Sequence, residues 1–268
     1  MDILDEIVAY KRLEVERMKG EQSLDEIRQQ AIHSSLPIAA SMRESLLRNG
    51  YGIIAEFKRR SPSKGWINAE ASAEGVCLGY ERGGAAAVSI LTDNRFFGGD
   101  NSYIVSARNG GLTLPVLYKN FIVDEYQIYQ ARIYGASAVL LIAACLDEDA
   151  CGRYIDIARR LGMEVLLEIH SDEELSYASL RPDIIGVNNR NLGSFATDVA
   201  NSFRLASRLP SDICKVSESG ISDPATVARL IEAGYSGFLI GENFMRAANQ
   251  ETVLRDFRIG IEQNLSGR

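Results

Sequence analysis

Two lysines and three glutamates stand where acid–base chemistry is expected. Each closes a short apolar run. Glu56 and Lys58 end the first run, Lys119 the third, Glu168 the fifth, and Glu218 with Ser219 the seventh. Asn188 ends the sixth. The i,i+2 spacing of Glu56 and Lys58 puts both on one face of a strand. Taken singly, any of these residues reads equally well as a solvated strand end or a salt bridge. Taken together, crowded charges cost desolvation energy unless they are paired, and crowding shifts their pKa values toward what proton transfer uses. Position alone names no reaction.

Two further segments point to an anion. Ser219-Gly220-Ile221-Ser222-Asp223-Pro224 leads into a helix with Asp223 as N-cap and Pro224 in the first turn, and Ile240-Gly241-Glu242-Asn243 follows the last run. Gly220 and Gly241 let backbone N–H groups face an anion at helix N-termini, or they simply make tight turns. The Glu242 carboxylate would repel a phosphate, so its side chain is expected to turn away. Lys58-Arg59-Arg60-Ser61-Pro62-Ser63-Lys64-Gly65 supplies anion-binding donors on a Ser-Pro turn directly after the first run.

Eight β-branched runs must position these groups: 53–57, 87–91, 115–119, 138–142, 165–168, 184–188, 213–218 and 237–240. Near-continuous apolar strands separated by helix-length segments belong to a parallel sheet covered on both faces. Gly83-Gly84, Gly135, Gly162 and Gly234 each end a helix just before a strand. Eight βα units in 268 residues predict a (β/α)8 TIM barrel of the α/β class, spanning 50–268, with residues 1–49 as an N-terminal helical extension. An open doubly wound sheet is the alternative, but no GxGxxG follows the first run. Ser23-Leu24-Asp25-Glu26 and Ser41-Met42-Arg43-Glu44 both match the capping box, and Asn49-Gly50 makes a turn before the barrel. In a barrel, the ends of the strands meet at one mouth, so the polar residues above form one ring.

Composition narrows the function classes. With 29 Lys and Arg against 36 Asp and Glu, the net charge is −7, which disfavours a nucleic-acid partner. No apolar run is long enough to span a bilayer, and the acidic, amphipathic start from Met1 and Asp2 is unlike a signal peptide. Cys77, Cys145, Cys151 and Cys214 form no CxxC pair, and His33 and His170 are the two histidines. Free thiols in a reducing cytoplasm, with no metal site, are therefore expected. No GxSxG accompanies His170, which reads as structural.

The stretches IIAEFKRRSPSKG, SILTDNRFFGG, LPVLYKNFIVDEYQI, GASAVLLI, EVLLEIH, IIGVNNRNL, SESGI and FLIGENFM, in this order from Ile53 to Met245, resemble the indole-3-glycerol phosphate synthase family. ILDEIVAYKRLEVE is similar to that family's leading helix. The resemblance implies a carbon–carbon lyase (carboxy-lyase) of tryptophan biosynthesis without metal or organic cofactor. Its substrate would be 1-(2-carboxyphenylamino)-1-deoxyribulose 5-phosphate, closed to an indole with loss of carbon dioxide and water. The resemblance further implies Lys119 as general acid, Glu168 as general base and Lys58 as a substrate contact and acid in the dehydration. Glu56 would orient the lysines, and Asn188, Glu218 and Ser219 would hold the substrate or the site. Ser61, Arg190, Gly220, Gly241 and Glu242 would take the phosphate, and Pro62, Phe97 and Phe121 would wall the aromatic ring. Tyr118 and Asn120 depart from the arginine and aspartate that many members carry beside the acid. The implied partner is a small phosphorylated molecule, with no nucleic acid or membrane. The chain is expected to be a cytoplasmic monomer, with enzymes of the same pathway as channelling partners. A phosphoribosyl anthranilate isomerase-like barrel, which would use a cysteine and an aspartate, and a non-catalytic phosphate-ligand binder are the rival readings.

Overall fold

The computed structural model describes residues 3–36, 40–191 and 196–267. Met1, Asp2 and Leu192, which figured in the sequence reading, lie outside these. Eight parallel strands close into a barrel: β1 (Gly52–Phe57), β2 (Ala87–Leu91), β3 (Val116–Lys119), β4 (Ala138–Ile142), β5 (Glu164–Ile169), β6 (Ile184–Asn188), β7 (Cys214–Glu218) and β8 (Gly237–Ile240). Each pairs with the next in sequence, and β8 closes on β1 with Ile53 opposite Phe238. All eight expected runs are strands, to within a residue at either end. A two-residue antiparallel ribbon, Arg60–Ser61 with Gly65–Trp66, stands after β1.

Period-two alternation divides the buried side chains into two cores. Ile53, Ala55, Phe57, Val88, Ile90, Val116, Tyr118, Val139, Leu141, Val165 and Leu167 face outward into a large core shared with the helices. Ile54, Ala87, Leu117, Ala138, Leu140, Leu166, Ile184, Val216 and Leu239 face inward and fill the barrel. Two residues further along, the inward positions change character. Ile54 is followed by Glu56, Leu117 by Lys119, Leu166 by Glu168, Gly186 by Asn188 and Val216 by Glu218. The barrel is therefore apolar below and charged above, and the same parity that packs its floor aims the polar residues into its mouth.

Before the barrel come α1 (Ile3–Glu21), α2 (Leu24–Ile32) and α3 (Met42–Leu47). Helix α3 plugs the bottom: Met42 and Leu46 are fully buried in the inner core. A Cβ on Gly52 would lie 2.8 Å from Leu46, so the missing side chain there admits the plug. Gly84, Gly135, Gly162 and Gly234 all have positive φ, which lets each chain turn from helix into strand. Ser23 forms the full capping box with Glu26. Ser41 does not. Its hydroxyl accepts the Glu44 N–H, but the carboxylate that serves this helix end comes from Glu164 of β5. Glu164 Oε2 accepts from the N–H groups of Met42 (2.7 Å) and Arg43 (3.0 Å), and Ser41 donates to Oε1. A carboxylate on the barrel rim thus satisfies two free N–H groups of this helix end, rather than the Ser41 N–H that Glu44 was expected to bind.

Candidate active site

At the mouth, Lys119 hangs between three carboxylates from three strands. Its Nζ is 3.9 Å from Glu56 Oε2 on β1, 3.9 Å from Glu168 Oε2 on β5 and 3.7 Å from Glu218 Oε2 on β7. None is a short contact, so the ammonium is attracted by all three without being committed to one. Lys58, at the next inward position after Glu56, closes on Glu56 Oε1 at 2.5 Å. Burial works against each charge here, and the opposite charges decide the outcome. Burial opposes the Lys119 ammonium, but the three carboxylates hold its pKa above the ordinary lysine value. Burial would raise Glu56, but Lys58 and Lys119 hold it ionised, below the ordinary carboxyl range. Glu168 is likewise held low against burial, by His170 and Lys119. Glu218 goes the other way. Burial and the neighbouring Glu168 charge push it up to about 8. Two carboxyl groups in one environment are thereby separated, Glu168 held below the ordinary range and Glu218 pushed above it, which is how a site assigns acid and base roles.

These groups line a cavity of about 390 Å³, together with Ser61, Pro62, Phe97, Phe121, Asn188, Arg190, Ser219, Gly220, Gly241 and Glu242. Every candidate residue from the sequence lines this one space. On one side lie the loops after β7 and β8. Ser219 and Gly220 both have positive φ, 67° and 72°, so the chain turns sharply at the strand end. Asp223 caps the following helix through the N–H groups of Ala225 and Thr226, with Pro224 in its first turn. The Glu242 carboxylate is bound by Lys64 at 2.7 Å and Arg246 at 3.0 Å, which neutralise it and tie the ribbon after β1 to the loop after β8. These two cations hold its pKa low in spite of partial burial. Gly241 has a second task that its sequence context did not reveal. A Cβ there would lie 2.5 Å from Glu56 Oε1, so its absence makes room for the Glu56 carboxylate.

On the other side, Phe97 and Phe121 meet with ring centroids 5.8 Å apart and planes 32° apart. Leu140, Ile142 and Leu239 complete an apolar floor. Helix α1 lies over the opening, where Ile3, Leu4 and Ile7 line the cavity. It is pinned by Lys11, whose Nζ lies 2.8 Å from Asp93 Oδ2, with both side chains 2% exposed or less. Asp93 in turn caps the short helix Asn94–Phe97, so the extension and one aromatic wall share an anchor.

Sequence reading missed Lys11 and Asp93, because residues so far apart give no local signal. It also set aside His170, whose Nε2 lies 3.2 Å from Glu168 Oε1. The signal was present: Glu168 and His170 have the same i,i+2 spacing that placed Glu56 with Lys58. Of the departures at 118 and 120, the first faces away from the cavity and the second lines it beside Lys119. Tyr118 faces the outer core and donates to Asn101 Oδ1 at 2.9 Å, and Asn120 donates to Thr92 Oγ1 at 2.8 Å. Among the described residues, all four cysteines are free thiols, no cluster of three or more His, Cys, Asp or Glu is arranged to hold a metal ion, and no helix is long and apolar enough to cross a membrane.

Fold and mouth define a (β/α)8-barrel enzyme built for acid–base chemistry in a half-polar, half-aromatic cavity. The barrel is shared with the tryptophan synthase alpha subunit of Legionella pneumophila (TM-score 0.60, 12% identity, covering 83% of this chain and 97% of that one). It is shared also with 3-hexulose-6-phosphate synthase of Salmonella typhimurium (TM-score 0.62, 13% identity, 80% and 99%). Identities this low speak to the fold alone. Sequence speaks more closely. The family model for indole-3-glycerol phosphate synthase matches residues 4–257. The chain is 53% identical to the indole-3-glycerol phosphate synthase of Bacteroides thetaiotaomicron, over 97% of this chain and 99% of that protein. It is 43% identical to that of Desulfotalea psychrophila, over 95% and 98%. The chain belongs to the indole-3-glycerol phosphate synthase family, and the carboxy-lyase class expected from its motifs stands.

Proposed function

We propose that this chain closes the indole ring of 1-(2-carboxyphenylamino)-1-deoxyribulose 5-phosphate, releasing carbon dioxide and water to give indole-3-glycerol phosphate. The observation that carries the reading is the suspension of Lys119 among Glu56, Glu168 and Glu218, between glycine loops on one side and an aromatic wall on the other. A sugar phosphate with an aromatic end spans such a cavity in one orientation.

In this reading, Ser61, Arg190, Gly220, Gly241 and the backbone at Glu242 hold the phosphate, and Pro62, Phe97 and Phe121 hold the ring. The ring carbon bearing the carboxylate attacks the ribulose carbonyl while Lys119 gives its proton to the carbonyl oxygen, where negative charge develops. Loss of carbon dioxide leaves the new carbon–carbon bond. Glu168, ionised at neutral pH, accepts the proton removed in the later step, and Lys58 protonates the hydroxyl that departs as water. Glu56 keeps the two lysines in register. Asn188, Glu218 and Ser219 bind the sugar hydroxyls. The catalytic unit is the barrel, 50–268, and the extension, 1–49, serves it by covering the mouth and plugging the base. The setting is the cytoplasm, the acting unit a monomer and the partner a small phosphorylated molecule.

The isomerase reading finds less support, because among the described residues neither a cysteine nor an aspartate lines the cavity. Offering the purified chain each substrate and following indole fluorescence separates the two. Fluorescence from the carboxyphenylamino substrate alone is expected. Turnover of phosphoribosyl anthranilate instead would overturn the proposal, and tight binding with no turnover of either would favour a ligand binder.

A further inference from the structure

His170 follows Glu168 by two residues and so enters the same inner side of the barrel, but it stands behind the carboxylate rather than in the cavity. Its ring is largely buried, at 10% exposure, and both nitrogens face carboxylates. Nε2 lies 3.2 Å from Glu168 Oε1, and Nδ1 lies 3.5 Å from Glu174 Oε2. A neutral imidazole has one donor and one acceptor, so one of its nitrogens would turn a lone pair toward a carboxylate oxygen. Neither contact has hydrogen-bond geometry, so the ring meets the two carboxylates as an ion pair, and only the imidazolium carries the charge for that. The backbone holds this geometry in place. The His170 N–H donates to Glu174 Oε2 at 2.5 Å, and Asn201 Nδ2 donates to the carbonyls of His170 (2.9 Å) and Asn188 (3.1 Å). Asn201 thereby clips the end of β5 to the end of β6, the two strands that deliver Glu168 and Asn188.

We propose that His170, as an imidazolium backed by Glu174, is a positioning residue that fixes the Glu168 carboxylate and keeps it ionised. This inference rests on the reading of Glu168 as the proton acceptor. A base oriented by a third group is a recurring arrangement, because a fixed carboxylate meets its proton in one geometry. The charged and titratable groups around His170 all bear on it. Glu168 and Glu174 face its ring, and Lys119 and Glu218 lie beyond Glu168. The Cys145 thiol lies beside both of the facing carboxylates and is pushed up to about 12 by burial, so it stays neutral. Burial disfavours the imidazolium, but Glu168 and Glu174 outweigh it and hold His170 at about 10.

The test measures kcat, KM and the pH profile of His170→Ala, His170→Gln, Glu174→Gln and Glu168→Gln in the full chain by product fluorescence. His170→Ala is expected to lower kcat about tenfold or more with KM unchanged. It should also move the acidic limb to higher pH, because Glu168 has lost a cation. His170→Gln, which restores an N–H donor without charge, should recover part of the rate. Glu174→Gln should move the alkaline limb to lower pH, because the imidazolium has lost its second anion. Wild-type kcat and an unmoved acidic limb in His170→Ala would overturn the inference. So would a loss of rate with no movement of that limb and no rescue by glutamine. Inactive Glu168→Gln beside unaltered His170→Ala defeats this inference alone. Wild-type turnover in Glu168→Gln defeats the reading of the base on which it rests.

Discussion

Replacing Gly241 with alanine separates two roles that one glycine holds. Its φ is −121°, outside the left-handed region that calls for glycine. The cost falls on Glu56. The new methyl would stand 2.5 Å from Oε1 and 3.0 Å from the Glu56 Cβ, whereas ordinary contact begins near 3.4 Å. The carboxylate oxygen must therefore retreat by about 0.9 Å, the difference between those two distances. Lys58 sits 2.5 Å from that same oxygen, and Lys119 is 3.9 Å from the other. Both lysines lose their reference point. A misplacement of about 1 Å in a catalytic group costs on the order of 10²-fold, so kcat should fall about 10- to 100-fold, or about 1.4 to 2.8 kcal/mol of barrier. Steady-state product fluorescence, with kcat and KM resolved, reads this. Gly220→Ala is the contrast: its φ of 72° strains alanine and its methyl would strike Thr197, but it meets no site carboxylate, so it should raise KM and spare kcat relative to Gly241→Ala. If Gly241→Ala raises KM and spares kcat, the argument that this glycine makes room for Glu56 is wrong.

Lys119→Ala should lower kcat by about 10²-fold or more while product still binds, measured by single-turnover kinetics and fluorescence titration. Wild-type turnover would remove Lys119 from the chemistry. Glu218→Gln should trade activity for alkaline stability. The Glu218 carboxyl is raised from 4.5 to about 8, so the stabilisation from its bound proton is whole below 4.5, declines as pH rises and is gone above about 8. Glutamine never ionises, so the variant's melting temperature should gain on the wild type across that window, and parallel melting curves would contradict the assignment. Glu164→Ala should cost about 1 to 2 kcal/mol in denaturant midpoint, because it strips the cap from the plug helix α3. Its kcat should not change, since the plug lies at the opposite end of the barrel from Lys119.

Local pattern made the barrel legible. The strands are short, largely apolar runs, five of which carry a polar residue at or next to the end (Glu56, Lys119, Glu168, Asn188 and Glu218), and each run alternates with a segment that can bury one face. Once closure was inferred, parity alone put Glu56, Lys58, Lys119, Glu168, Asn188 and Glu218 in one mouth. The same rule applies to His170, but without a nucleophile motif beside it that histidine reads as structural. What stayed hidden was tertiary in origin. Ser41 and Glu44 have the letters of a capping box, yet the helix end faces Glu164, whose carboxylate satisfies two of the free N–H groups. Lys11 reads as one charge among many on an amphipathic helix until Asp93 is seen beneath it. Gly241 reads as a turn, and only the packed barrel reveals the carboxylate that its bare Cα accommodates.

The central claim is spatial: one ligand bridges the glycine loops and the aromatic wall, with its sugar beside Lys119 and Glu168. A crystal structure of the chain soaked with indole-3-glycerol phosphate tests it most directly. Phosphate at Gly220 and Gly241, with the indole against Phe97 and Phe121, is the predicted result. A phosphate bound at any other place on the barrel, or an indole that leaves Lys119 and Glu168 untouched by the glycerol, would contradict the account.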